Sequence, residues 1–154
     1  MNNKKKGNRV ENEFAKILTK RFDQTFKRVP MSGAFGTNMA GTDLREDAKE
    51  IFSGDIITPK GFRFSIEVKS RVEFNYWDLL ADETKNEIDQ WIEQAEGEAE
   101  MSQKEPLIIV KVNNKKPFVL FHKQLKKGKL SYGDYTIMRI DFFLALRDTF
   151  FWRK

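Results

Sequence analysis

The segment Phe62–Lys69 constrains the fold more than any other stretch of the chain. Phe62, Phe64, Ile66 and Val68 alternate with Arg63, Ser65, Glu67 and Lys69, and Arg71 continues the polar series. A period of two puts the sets on opposite sides of a β-strand. One side packs on a core and the other meets solvent or substrate. Just upstream, Asp55–Thr58 reads as a strand and Pro59-Lys60-Gly61 as a turn, so the two strands are expected to pair as a hairpin.

The rest of the pattern mixes helices and strands. Val10, Phe14, Ile17, Leu18 and Phe22 recur at helical spacing and predict a helix over residues 8–22. A short strand follows at 26–30. Residues 31–54 hold four of the nine glycines and read as a long loop with a short helix at 43–51; such a loop in a small domain tends to be functional. An acidic helix covers 84–102, with Pro106 beyond its end. Leu107–Val112 reads as a buried strand, Asn113–Lys116 as a turn and Phe118–Phe121 as a further strand. A basic loop at 123–133 leads to a last strand, Tyr135–Ile140, and to a helix Asp141–Phe150 capped by Asp141. Phe142, Phe143, Phe150, Phe151 and Trp152 are expected to cover the sheet or to form a dimer contact. The order predicts one α/β domain over 1–154, a central mixed β-sheet flanked by helices, with its core at 7–122 and a C-terminal extension at 123–154.

Composition narrows the class. A chain of 154 residues fits one domain, and 40% apolar residues suffice for a core. No run of 18 apolar residues exists, so no membrane span is expected. The basic start, Lys4-Lys5-Lys6, lacks the apolar stretch of a signal peptide. Cysteine is absent, which removes thiolate metal sites and fits the cytoplasm of a prokaryotic or phage-infected cell. Residues 1–28 carry a net charge of +6, residues 29–106 of −9 and residues 107–154 of +8. Cations to hold phosphates and carboxylates to hold metal are what a nuclease needs.

Three acid–x–Lys triplets occur: Asp47-Ala48-Lys49, Glu67-Val68-Lys69 and Glu83-Thr84-Lys85. Only Glu67 and Lys69 lie on an alternating strand, where they stand side by side on the polar face. Asp55 follows Gly54 with eleven residues between it and Glu67, and pairing of the hairpin brings its carboxylate near Glu67. Two carboxylates on adjacent strands suit Mg²⁺ or Mn²⁺. A neighbouring lysine can hold or deprotonate water, or stabilise charge on a phosphate. The triplet alone serves equally well as a surface ion-pair ladder. Tyr76, Trp77 and Trp91 are either base-stacking platforms or aromatic anchors of a core or interface. His122, the single histidine, reads as a strand-end residue.

At these residues the chain resembles a known group. Gly54-Asp55 and Glu67-Val68-Lys69 resemble the motif of the PD-(D/E)XK, or restriction-endonuclease-like, nucleases, with Gly54 where the motif has proline. Gly7-Asn8-Arg9-Val10-Glu11-Asn12-Glu13-Phe14 is similar to the first helix of archaeal-type and phage Holliday-junction resolvases, whose acidic cluster is completed by a glutamate four residues after the glycine. That spacing selects Glu11 over Glu13. Arg28-Val29-Pro30-Met31-Ser32-Gly33 resembles a DNA-facing segment, and Trp91-Ile92-Glu93-Gln94-Ala95 the glutamine-bearing helix after the catalytic lysine, with Gln94 a better match than Gln90.

The resemblance spans residues 7–112 and implies a restriction-endonuclease-like core. It further implies a Mg²⁺-dependent DNA endonuclease, with Mn²⁺ able to substitute. Asp55, Glu67 and the Val68 carbonyl would hold the metal, Glu11 would assist directly or through water, Lys69 would activate water, and Gln94 would support catalysis. DNA would be met by Arg9, Arg28, Ser32, Gly33, Arg71 and Lys111. A four-way junction as substrate implies a two-fold homodimer. The alternatives are another nuclease of the same superfamily, of nicking, repair or homing type, or a DNA-binding module of this fold that does not cut.

Overall fold

The computed structural model describes residues 3–30, 53–80, 86–122 and 130–153. Helix α1 (Asn3–Phe22) begins before its apolar stripe and buries Val10, Phe14 and Leu18, while Ile17 lies exposed at the stripe's margin. Strand β1 (Lys27–Arg28) pairs antiparallel with β2 (Ile56–Ile57). Strand β3 (Phe64–Arg71) and strand β4 (Glu105–Val112) run parallel. A parallel pair needs a long crossover, which helix α2 (Glu87–Ser102) supplies. Its first turn is closed by Asn86, whose Oδ1 accepts from the Ile88 N–H at 2.8 Å while its own N–H donates to Asp89 Oδ2 at 3.0 Å.

Strands β5 (Phe118–Phe121), β6 (Leu130–Tyr132) and β7 (Tyr135–Arg139) complete a five-stranded sheet of order β3-β4-β5-β7-β6. Only β3 and β4 are parallel, so the sheet is mixed, with a helix on each face, as the element order predicts. Leu107 and Ile109 enter the core on the α1 side, and Ile108 and Val110 the core under α2. Burial on both faces explains the continuous apolar run of β4. Tyr132 and Tyr135 bind the β6–β7 hairpin to α2 by donating to Asp89 at 2.8 Å and Glu96 at 2.7 Å.

Four local expectations give way. The turn at 59–61 forms, with Phe62 N–H donating to the Pro59 carbonyl and Gly61 at φ +84°, but it does not close a hairpin. Ile56 and Ile57 pair with β1, and Phe62 bridges to Trp152. Arg63 N–H donates to the Phe151 carbonyl at 2.7 Å and Arg153 N–H to the Gly61 carbonyl at 2.8 Å, so the approach to β3 is already occupied. Part of the expected basic loop, Leu130–Tyr132, is a strand. The expected helix 141–150 is a short helix α3 (Ile140–Leu144) and a 3₁₀ turn, Asp148–Phe150. Leu144 and Leu146 both pack on the α1-side core, which two positions roughly 200° apart on one helix cannot do. Asp141 does not cap α3; its carboxylate binds Arg139. The expected helix at 43–51 and the triplets at 47–49 and 83–85 fall outside the described residues.

Residues 130–153 supply two strands together with Phe143 and Phe151, so the core continues past residue 122. Phe151 is fully buried and meets Phe22 with ring centroids 4.8 Å apart and Phe143 at 5.1 Å. Phe151→Ala should destabilise the fold by about 3–5 kcal/mol, read as a lower urea midpoint with the secondary structure retained below it.

Candidate active site

Strand β3 is an edge strand, and the segment Gly54-Asp55 docks on its free side. Asp55 N–H donates to the Ile66 carbonyl at 2.7 Å, and Val68 N–H donates to Asp55 Oδ2 at 2.8 Å. Gly54 bridges to Ile66 in the parallel sense. Its φ is +76°, and a Cβ there would stand 2.4 Å from the Ile66 carbonyl oxygen. Only glycine fits that approach; a proline, held near φ −65°, could not take this conformation. The N–H and C=O of one strand residue point the same way, so the Val68 carbonyl faces the Asp55 side as well.

The carboxylates of Asp55 and Glu67 share this place, at 7% and 2% exposure. Burial, and then the charge of Asp55, hold the Glu67 carboxyl well above the usual range; Lys69 opposes the rise and Glu98 adds to it. The polar face of β3 does not open to solvent along its length as its alternation suggests. Helix α2 covers it: Ser65 and Glu67 are buried, and the face emerges only at Lys69. There Lys69 Nζ donates to Gln94 Oε1 at 2.6 Å and Gln94 Nε2 donates to Glu67 Oε2 at 3.4 Å. An ammonium only donates, so the Gln94 amide turns its oxygen to Lys69 and its nitrogen to Glu67.

Below the carboxylates lies a hydroxyl network that the alternation did not reveal. Ser102 Oγ donates to Ser53 Oγ at 2.9 Å, Ser53 Oγ meets Ser65 Oγ at 2.5 Å, and Ser53 Oγ also reaches the Glu98 carbonyl at 3.0 Å. It ties the residue before Gly54 to β3 and α2 together. The one sequence signal was Ser65, two positions from Glu67 on the same face.

Glu11 is buried on α1 at 8% exposure, with Oε2 3.9 Å from the Arg28 guanidinium. Arg28 stands opposite Ile56 in the β1–β2 ribbon, and Val29 N–H donates to the Asp55 carbonyl at 2.9 Å. Among the described residues no group of three His, Cys, Asp or Glu side chains is placed to hold a metal. Arg28 and the ribbon thus join Glu11 to the segment that carries Asp55. Glu13 is exposed, and so is Arg9, which lies two positions before Glu11 and roughly 200° around the helix. Arg71 pairs with Glu87 and lies over the Trp91 ring at 5.3 Å. Lys111 donates to the Lys115 carbonyl at 2.6 Å across the β4–β5 turn. Ser32 and Gly33 lie outside the described residues. Trp91 is a core residue, and His122 is exposed at the end of β5.

A cavity of about 420 Å³ opens beside Lys69; among the described residues it is lined by Lys6, Val68, Ser70, Arg71 and neighbours, three of them cations and none an acid. The acidic pair and this basic cavity adjoin at Val68-Lys69. Two touching carboxylates, with a main-chain carbonyl on the same side, form an all-oxygen donor set that suits a hard divalent cation. Mg²⁺ keeps several waters and needs few protein ligands, so two carboxylates are a sufficient protein share.

A mixed sheet with helices on both faces and the acidic pair and lysine at one edge defines the restriction-endonuclease-like fold. The model of the family described as "Phage putative PDDEXK endonuclease" matches residues 2–149, and the chain belongs to that family. Searches of curated proteins and of solved structures found no match.

Two outcomes follow from the geometry. Gly54→Ala should cost more than about 1 kcal/mol, from the left-handed backbone alone, and should displace Asp55; denaturant unfolding measures it. The folded protein holds the Glu67 proton that the unfolded chain gives up, so stability falls as pH rises from the ordinary carboxylate range toward the raised value. Without divalent cations at neutral pH, Glu67→Gln should therefore raise the melting temperature, by a few degrees, and an unchanged or lower value contradicts this electrostatic reading.

Proposed function

We propose that the chain is a Mg²⁺-dependent endodeoxyribonuclease, with Mn²⁺ able to substitute, that cuts branched DNA and foremost four-way junctions. The observation that carries this reading is the convergence of Asp55, Glu67, Lys69 and Gln94 at the free edge of β3. In it, Asp55, Glu67 and the Val68 carbonyl hold the ion. When bound, the ion polarises the scissile phosphate and lowers the pKa of water. Gln94 fixes the Lys69 ammonium at the mouth of the basic cavity, where it orients the attacking water and offsets charge on the phosphate. Water adds to phosphorus, the bond to the 3′ oxygen breaks, and that oxygen takes a proton, leaving a 5′-phosphate and a 3′-hydroxyl.

Membership of a phage endonuclease family supports DNA as the substrate and a phage-infected prokaryotic cell as the setting. No helix among the described residues is long and apolar enough to cross a membrane. Preference for junctions rests on the first helix, where Glu11 occupies a buried position at the spacing shared with junction resolvases. Two symmetric cuts in a four-way junction require a two-fold homodimer.

Cleavage of four-way, nicked, linear duplex and single-stranded DNA tests both levels. Cutting should need Mg²⁺ and stop with chelator. Lys69→Ala should lower kcat by about 10²–10⁴-fold with DNA binding retained, and Asp55→Asn should abolish cutting. Metal-independent cutting, or a fully active Lys69→Ala, would refute the chemistry. Equal rates on junction and linear duplex would refute only the preference for branches.

A further inference from the structure

Large apolar side chains are exposed in one short stretch just beyond the active-site strand. Val72, Tyr76, Trp77 and Leu80 all lie exposed within nine residues, with Trp77 the extreme at 76%. Proteins rarely leave such a cluster uncovered without a use for it. The stretch is ordered by its own polar groups. Trp77 N–H donates to Asn75 Oδ1 at 3.2 Å, Asp78 N–H to the Asn75 carbonyl at 3.0 Å, and Asn86 Nδ2 to the Asp78 carbonyl at 3.2 Å. Phe74 stacks on Trp91, ring centroids 5.6 Å apart, and Tyr76 packs on Phe118 at 6.2 Å. The neighbours of Trp77 are thus pinned to the body of the protein while its indole is left outside.

What lies beside this stretch selects the partner. Val72 belongs both to the apolar cluster and to the lining of the basic cavity that holds Lys6, Lys69 and Arg71. Arg71 and Phe74 rest on the same Trp91 ring, so cavity and aromatic turn share one support. Trp77 lies five positions after Val72, a reach of at most about 18 Å, or roughly five phosphate steps along one strand of DNA. A cavity whose described lining is cationic, followed within a few nucleotides by a fixed exposed indole, is the pairing that holds a nucleic-acid strand with its bases turned out: cations on the phosphates, aromatic on a base.

We infer that Trp77 is a stacking platform for an unpaired nucleobase of the DNA strand whose phosphates occupy the Lys6–Lys69–Arg71 cavity. The inference rests on the nuclease reading above and adds a substrate requirement to it. A base can reach the indole only where pairing is broken, at a junction, flap or single-stranded stretch. A closed duplex engages the cavity and leaves Trp77 empty. Trp77 is then a binding residue that selects substrates and takes no part in bond cleavage.

Tryptophan emission reads this directly, because of the three tryptophans Trp91 is buried, Trp152 is half-buried and Trp77 stands in solvent. Single-stranded oligonucleotide, four-way junction and a long, fully paired linear duplex are each titrated in chelator, where no cutting occurs. The first two should quench the emission and the duplex should not. Trp77→Phe should lose the quench and keep its affinity. Trp77→Ala should bind single strand and junction about tenfold or more weakly, with duplex binding and the salt slope unchanged. Lys6→Ala should instead lower the salt slope by about one. Equal weakening of Trp77→Ala on duplex and single strand overturns the inference, as does unaltered affinity with a change from dimer to monomer mass, which would make the patch a protein interface. Failure of the wild type to bind any DNA would sink the nuclease reading itself.

Discussion

The docking of Gly54-Asp55 on the free edge of β3 is the contact on which the rest depends. One backbone hydrogen bond, to the Ile66 carbonyl, and one side-chain hydrogen bond, from the Val68 N–H, fix the Asp55 carboxylate against Glu67. The contact exists because β3 is an edge strand, and because Gly54 alone can bring the chain so close. Everything else in the neighbourhood reinforces it. The β1–β2 ribbon holds Asp55 from one side through the Val29 N–H, and Ser53, just before Gly54, is bonded into β3 and α2. The parallel crossover from β3 to β4 carries α2 over the polar face, so Gln94 arrives above Glu67 and Lys69 as a consequence of the sheet order.

Burial of two carboxylates in contact opposes folding. A buried charge without a partner costs several kcal/mol after relaxation, and the Glu67 carboxyl responds with a pKa raised well above the usual range. Lys69 donates to Gln94, and the Arg28 guanidinium faces Glu11. A fold built only for stability would place an apolar residue at 67. Retention of the acidic pair, under a helix and beside a basic cavity, is what the proposed metal site would require.

The alternation of Phe62–Lys69 made β3, its two faces and the Glu67–Lys69 adjacency legible, because a period of two has no competing reading over eight residues. The helices were legible for the same reason, as was the mixed α/β class from their order. The hairpin was not. Its turn forms, yet pairing across it depended on Lys27–Arg28 and on residues 151–153, both remote in sequence. The proximity of Asp55 to Glu67 came out as expected by a different route, a parallel bridge at Gly54 where antiparallel strands were foreseen. Covering of the polar face by α2 was equally invisible, since Ser65 and Glu67 look like solvent-facing residues until the crossover is known. The helix expected at 141–150 failed because its aromatics serve a core that surrounds them, and a single helical face could not supply them all.

In the function proposed above, Asp55 and Glu67 together hold one hard divalent cation, whose charge opposes the rise in the Glu67 pKa. Calorimetric titration of Mn²⁺ into the protein near neutral pH, repeated in two buffers of different ionisation enthalpy, tests it most directly. The expected result is saturable binding with proton release to the buffer, and loss of that proton release in Glu67→Gln. Absence of saturable binding, or binding with the same proton count in Glu67→Gln, would contradict it.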